Sequence, residues 1–146
     1  MIVVQFILWS FILYICHRLA HSIGFLWYYH CDHHKQISSQ TNKGCHWTNC
    51  FLFFDTWKST ADQWLIEIIP TILVCFLFSD ITLLVLYYFW AVFIQERIEH
   101  NPNFDLYPIL TSGKWHLIHH TNYDKNYGVF TSIWDKIFKT YKAKYE

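Results

Sequence analysis

Long apolar runs alternate along the chain with short stretches that gather the histidines. Met1 to Cys16 is apolar apart from Gln5 and Ser10. A membrane span takes about 20 residues, so a helix over about 1–16 is expected to run on through His17-Arg18-Leu19-Ala20-His21. A secretory leader would carry positive charge ahead of the run and a small-residue cleavage site behind it. Here no basic residue precedes the run, and His17-Arg18 follows at once; the pattern reads as a membrane helix. Lys35 to Lys58 begins polar, from Gln36 to Gly44, and reads as a loop that leads into an aromatic segment from Trp47 to Trp57. Tryptophan and tyrosine collect at membrane–water boundaries, so that segment is expected there. The second apolar region, Trp64 to Gln95, breaks at Ser79-Asp80 and predicts a hairpin over about 63–97. Turns follow at Asn101-Pro102-Asn103 and Asn126-Tyr127-Gly128. Thr131 to Tyr141 predicts an amphipathic helix with Ile133, Trp134, Ile137 and Phe138 on one face.

The polar stretches hold nine of the ten histidines in two groups. The first contains His17, His21, His30, His33 and His34. The second contains His100, His116, His119 and His120. Helical spacing of three or four places such rings on one face, one turn apart. A lone histidine reads as a surface or interfacial aromatic. Three clusters at helical spacing in an apolar chain read as metal ligands, because ionisable groups beside a membrane span are costly unless functional. Cys45-His46 with Cys50 resembles half of a zinc site, but no second cysteine pair completes it; His46 is an accessory candidate only.

A shared site constrains the topology. His34 and His100 must then lie on one side of the membrane, which requires an even number of crossings between them. All eleven lysines and arginines lie outside the apolar runs, and Ser79-Asp80 carries none. The positive-inside rule therefore places both histidine groups and the C-terminus in the cytosol, and the N-terminus and the Asp80 turn on the other side. The expected fold is all-α. One membrane-embedded domain covers 1–146, with about three membrane helices (about 1–16 and the two arms of 63–97). A cytosolic, histidine-rich helical cap is formed by 17–62 and 98–146.

Composition agrees with that class. Of the 146 residues, 53% are hydrophobic, 21% aromatic and only 15% charged, too apolar for an ordinary soluble domain of this size. A net charge of zero without a block of one sign gives no footprint for nucleic acid. Five cysteines, an odd number in no regular pairing pattern, fit a reducing compartment better than a disulfide scaffold.

The chemistry follows by comparing motifs. Nine imidazoles suit two ions with four or five ligands each, leaving room for oxygen or substrate. The chain has no Gly-x-Ser-x-Gly stretch, phosphate-cradling glycine loop, His-Glu-x-x-His motif or Glu-x-x-His tetrapeptide. A site under an apolar bundle faces lipid tails, and breaking an unactivated C–H bond calls for a metal-bound oxidant. Two iron ions with O₂ are the expected cofactors; imidazole also suits zinc, which purified protein can carry.

At this point the residues resemble a known family. His17-x-x-x-His21, His30-x-x-His33-His34 and His116-x-x-His119-His120 are similar to the three histidine boxes of the fatty acid hydroxylase/sterol desaturase superfamily. Asn126-Tyr127-Gly128 and the stretch Trp134-Asp135-Lys136-Ile137-Phe138-Lys139-Thr140-Tyr141 resemble its Asn-Tyr-Gly signature and its Trp-Asp-x-x-Phe-Gly-Thr ending. The glycine of that ending is Lys139 here. Family members generally carry further membrane helices before the first box, and several subfamilies place a histidine after the second, where this chain offers only His46. The resemblance implies an integral membrane, non-haem di-iron oxygenase of the endoplasmic reticulum. Its substrate would be a fatty acyl or sterol lipid, hydroxylated or desaturated, and its electron donor cytochrome b5 or a reductase. Under that reading the nine histidines are ligands. Asp32, Glu96, Glu99 and Asp124 would orient imidazoles through their other nitrogen, and Asn126, Tyr127 and Asp135 would hold the cap in shape. Two alternatives remain: a non-catalytic member that keeps its metal, and a histidine-rich metal-handling membrane protein.

Overall fold

A computed structural model describes residues 1–35, 46–108 and 110–143, the Glu96 side chain apart. The described residues are helical, with a single β-bridge between Asp105 and Gly113 as the sole extended pairing among them.

Helix α1, Ile2–Ser22, carries the N-terminal apolar run and both of its histidines in one rod. No proline or glycine interrupts the sequence until Gly24. Ile23 leaves the helix in an extended conformation, and α2, Gly24–Lys35, folds back against α1. A short turn of helix follows at Trp47–Phe51, where the His46 ring accepts from the Thr48 backbone N–H.

Helix α3, Trp57–Phe78, starts earlier than the expected arm near 63. Thr56 explains the difference: its hydroxyl accepts from the Ser59 N–H at 3.1 Å and caps the helix inside the stretch read as interfacial. A wider turn at Trp64–Ile68 immediately precedes Pro70. Proline has no N–H and crowds the carbonyl four residues back, and widening the preceding turn relieves both problems. The helix stops where the hairpin was expected. Ser79 takes a left-handed conformation, with φ of 52°, and Asp80 N–H reaches back to the Cys75 carbonyl. Helix α4, Thr82–Gln95, returns alongside α3 and continues through Glu96–Ile98.

By length and composition α1 and α3 can each cross a membrane, whereas α4 is shorter. Two helices of spanning length and one shorter apolar arm therefore stand where about three spans were expected. Trp9 and Leu13 of α1 pack with Ile68, Val74, Leu83 and Tyr87 of the hairpin. The Trp9 indole N–H donates to the Thr71 hydroxyl at 2.8 Å, so the interface is matched in polarity as well as in shape. Phe76, Leu77 and Ile81, at the tip of the hairpin, remain largely exposed.

The C-terminal part wraps the histidine end of this bundle. Gly113 has φ of 68°, and a Cβ there would collide with the Phe104 carbonyl. Its N–H bonds the Glu99 carbonyl, which places the start of α5, Lys114–Thr121, next to the end of α4. The expected helix over 131–141 is shorter than its pattern: α6 covers only Ile133–Ile137. Lys139 turns left-handed, and the Asp135 carbonyl takes the N–H groups of Thr140 and Tyr141. Only part of the expected apolar face is used. Trp134 and Phe138 pack on Phe11 and Tyr14 of α1, while Ile133 and Ile137 stay exposed. The Asp135 carboxylate is fully buried. It accepts from the Tyr127 N–H at 2.8 Å, the Gly128 N–H at 2.9 Å and the Thr140 hydroxyl at 2.7 Å, joining both signature stretches of the tail.

Candidate metal centre

Three helices and one loop deliver the nine histidines. α1 supplies His17 and His21, α2 supplies His30, His33 and His34, α5 supplies His116, His119 and His120, and His100 follows the end of α4. They converge in two groups. One nitrogen from each of His17, His21, His30, His34 and His119 lies within 4.8 Å of the others, and the same holds for His33, His100, His116 and His120. The division cuts across the clusters seen in the sequence, and helical geometry explains it. At about 100° per residue, His30 and His34 share a direction while His33 points off to the side. On α5 His116 and His120 share a direction and His119 diverges. Each of these helices therefore serves both groups.

The outer nitrogens are fixed by the fold. His17 Nδ1 is 2.8 Å from the Tyr127 carbonyl, His119 Nδ1 is 2.6 Å from the Lys125 carbonyl, and His30 Nδ1 is 3.0 Å from an Asp62 oxygen. A carbonyl only accepts, so at His17 and His119 the ring proton sits on Nδ1 and the Nε2 lone pair is left facing inward; an ionised Asp62 does the same at His30.

The inner nitrogens are too close to be satisfied by hydrogen bonds alone. His21 Nε2 lies 3.1 Å from His30 Nε2, 3.1 Å from His119 Nε2 and 3.2 Å from His34 Nε2. Two of those neighbours carry bare lone pairs, and one His21 proton can serve only one of them. His17 Nε2 is buried with no hydrogen-bond partner among the described residues. In the second group His33, His116 and His100 stand 2.8–3.1 Å from His120 Nε2. Ligands about 2.1 Å from one ion at right angles are about 3.0 Å apart, so a cation fits each group.

Burial keeps these rings in the neutral form that binds metal. His34 is pushed down to about 3 by burial, with the His17 and His100 charges adding to it. Burial lowers His100 to about 4. His33, His116 and His119 fall well below the ordinary histidine range, first from burial and then from neighbouring imidazoles.

The expected orienting carboxylates fare differently. Asp32 accepts from the Thr56 hydroxyl at 3.0 Å and so supports the start of α3. Asp124 is solvent-exposed and pairs with Lys125, whose backbone carbonyl, not a carboxylate, holds His119. Glu99 approaches His116 from the Nε2 side, with 3.7 Å between them. The Glu96 side chain and Cys45 lie outside the described residues. His46 bonds Thr48 at 2.8 Å and belongs to neither group. Cys16, Cys31, Cys50 and Cys75 are free thiols.

Sequence reasoning missed Asp62 and Glu67. Both are buried acids on α3, and an acid within an apolar helix is itself the signal that marks them. They line a cavity of about 20 Å³ together with His17, His30, His33, Glu99 and His116, large enough for one water-sized molecule. An apolar cleft of about 320 Å³ opens between α3 and α4. Tyr87 lines that cleft, and its hydroxyl donates to Glu67 at 3.0 Å on the cavity side.

Helices thus pack around two clusters of imidazoles, each of a geometry that could hold a metal ion. The family model described as "Fatty acid hydroxylase" matches residues 2–140, and the chain belongs to that family. It is similar to the Delta(7)-sterol 5(6)-desaturase of Candida glabrata, 26% identical over 134 residues, which cover 89% of this chain and 33% of the relative. It is also similar to the Putative Delta(7)-sterol-C5(6)-desaturase 2 of Arabidopsis thaliana, 29% identical over 143 residues, 94% of this chain and 46% of the relative. The chain thus spans less than half the length of these relatives. No solved structure gives a significant match. The family description names fatty acid hydroxylation, and both relatives are named for sterol desaturation.

Proposed function

We propose that the nine histidines ligate two iron ions and that the protein uses O₂ to oxidise a lipid at that centre. The observation that carries the reading is the convergence of all nine rings into groups of five and four, with the outer nitrogens of His17, His30 and His119 fixed so that Nε2 points inward. Bound iron with O₂ supplies the oxidant that side chains lack for an unactivated C–H bond. The chain's own residues do the rest. Asp62 and the Tyr127 and Lys125 carbonyls fix the ring tautomers. The small cavity between Glu67 and the histidines has room for one small molecule such as O₂ or water beside the rings.

The substrate we favour is a sterol, because both relatives are named for sterol desaturation; a fatty acyl chain is the second candidate. The apolar cleft beside Tyr87 and the exposed apolar tip of the hairpin support a substrate and a setting in the membrane. We place the protein in the endoplasmic reticulum with the histidines facing the cytosol, where cytochrome b5 or a reductase would supply electrons. Every lysine and arginine lies outside the apolar runs, which supports that orientation.

The test is metal analysis of protein purified in mild detergent, followed by O₂ consumption with reductant and a panel of sterols and fatty acyl lipids. About two irons per chain and lipid-dependent O₂ uptake are expected. Tight iron with no product from any lipid would favour the non-catalytic member; absence of tight metal would remove the ligand assignment.

A further inference from the structure

The two histidine groups are unequal, five rings against four, and Glu99 stands beside the smaller one. A carboxylate that merely orients a ligating imidazole bonds the ring's outer nitrogen, as Asp62 does at His30 Nδ1. Glu99 does the opposite. Its Oε1 lies 3.7 Å from His116 Nε2, the nitrogen that itself sits 3.1 Å from His33 Nε2 and 2.8 Å from His120 Nε2. That separation is too long for a hydrogen bond. Two donors each about 2.1 Å from one ion stand 3.7 Å apart when the angle between them is about 120°.

The Glu99 carboxylate is also held in place. The Gln95 side-chain amide donates to its two oxygens at 3.4 and 3.3 Å and reaches Glu67 at 3.4 Å on its other side. Gln63 in turn bonds Gln95 at 3.0 Å and Tyr87 at 2.6 Å. The chain of amides and acids fixes Gln95, and Gln95 aims Glu99 at the cavity that His33 and His116 also line.

We propose that Glu99 is a direct oxygen ligand of the metal ion held by His33, His100, His116 and His120, so that both ions have five protein donors but only one has a carboxylate. The inference rests on the histidines binding metal, and it adds a donor and a chemical difference between the two ions. One negatively charged donor would make that ion, when bound, the more readily oxidised of the pair.

Cobalt(II) titration of the metal-free full chain in detergent tests this, with visible spectra and chelator competition on wild type, E99Q and H120A. Two cobalt ions per wild-type chain establish the parent reading; fewer than two would remove that reading and this one with it. In E99Q, the same ion that H120A perturbs should bind about a hundredfold more weakly and with altered d–d bands, while the five-histidine ion keeps its spectrum and affinity. Circular dichroism of the metal-free variants checks that both retain wild-type helix. Two ions bound by E99Q with wild-type affinity and spectrum would overturn the assignment.

Discussion

His30 is gripped at both ends of its ring: Nδ1 lies 3.0 Å from the Asp62 carboxylate and Nε2 lies 3.1 Å from His21 Nε2. The acid comes from a helix of spanning length and the imidazoles from two others, so the contact ties the hairpin to the metal groups.

That contact predicts the effect of Asp62→Asn. The amide retains the size of the acid but removes its charge and much of its hold on the Nδ1 proton. Metal affinity of the five-histidine group should fall roughly 10- to 100-fold, the usual cost of losing such a partner. Chelator competition measures it. Unchanged affinity would show that the Tyr127 and Lys125 carbonyls suffice to orient the group.

His119→Ala probes the same group from inside. His119 is fully buried, and its Nε2 lies 3.1 Å from that of His21. The variant should lose all lipid oxidation and the ion of the five-histidine group while still inserting in membranes, because α1 and α3 are untouched. Carbonate extraction and metal analysis report the two properties separately. Normal turnover in the variant would remove His119 from the ligand set.

Much of this site was legible in the chain. The spacing of four predicted shared faces, and His17 with His21, His30 with His34 and His116 with His120 do fall together; the spacing of three did not carry over, since His33 and His119 join the opposite groups. The partition did not follow from the clusters, because it depends on how α2 and α5 lie between the two groups. The carbonyls of Tyr127 and Lys125 were invisible for a different reason: any residue offers a carbonyl, and only tertiary packing selects one. Asp62 and Glu67 were legible as acids in an otherwise apolar helix, but the partner each would take was not. The helix over 131–141 was overread, since apolar spacing at Ile133 and Ile137 says nothing about the left-handed residue that stops the helix at 139.

The metal-free protein should weaken in acid. His34 and His100 are depressed to about 3 and about 4 in the folded chain, against about 6.5 when unfolded. Between those values the unfolded chain binds more protons than the native one, so stability is full above about 6.5 and falls as pH drops toward 4. Each ring contributes at most about 1.4 kcal/mol per pH unit in that window. Thermal unfolding of chelator-treated protein in detergent should show a lower midpoint at pH 5 than at pH 7. A midpoint that does not move would contradict the burial of these two rings.

The last prediction concerns the departure from the family's ending. Lys139 stands where that ending has glycine, and it adopts φ of 59°. The strain is tolerated because Asp135 holds both sides of the turn: its carbonyl takes the N–H groups of Thr140 and Tyr141, and its carboxylate takes the Thr140 hydroxyl. A left-handed conformation costs a side-chain-bearing residue roughly 1–2 kcal/mol, while glycine gives back part of the gain through its greater freedom when unfolded. Lys139→Gly should therefore stabilise the protein by about 0.5–1 kcal/mol, raising the thermal midpoint by about 2–4 °C. Lys139→Ala should leave the midpoint near wild type, because alanine bears the same backbone penalty. If both substitutions raised it equally, the gain would come from removing the lysine side chain, and backbone strain at 139 would be refuted.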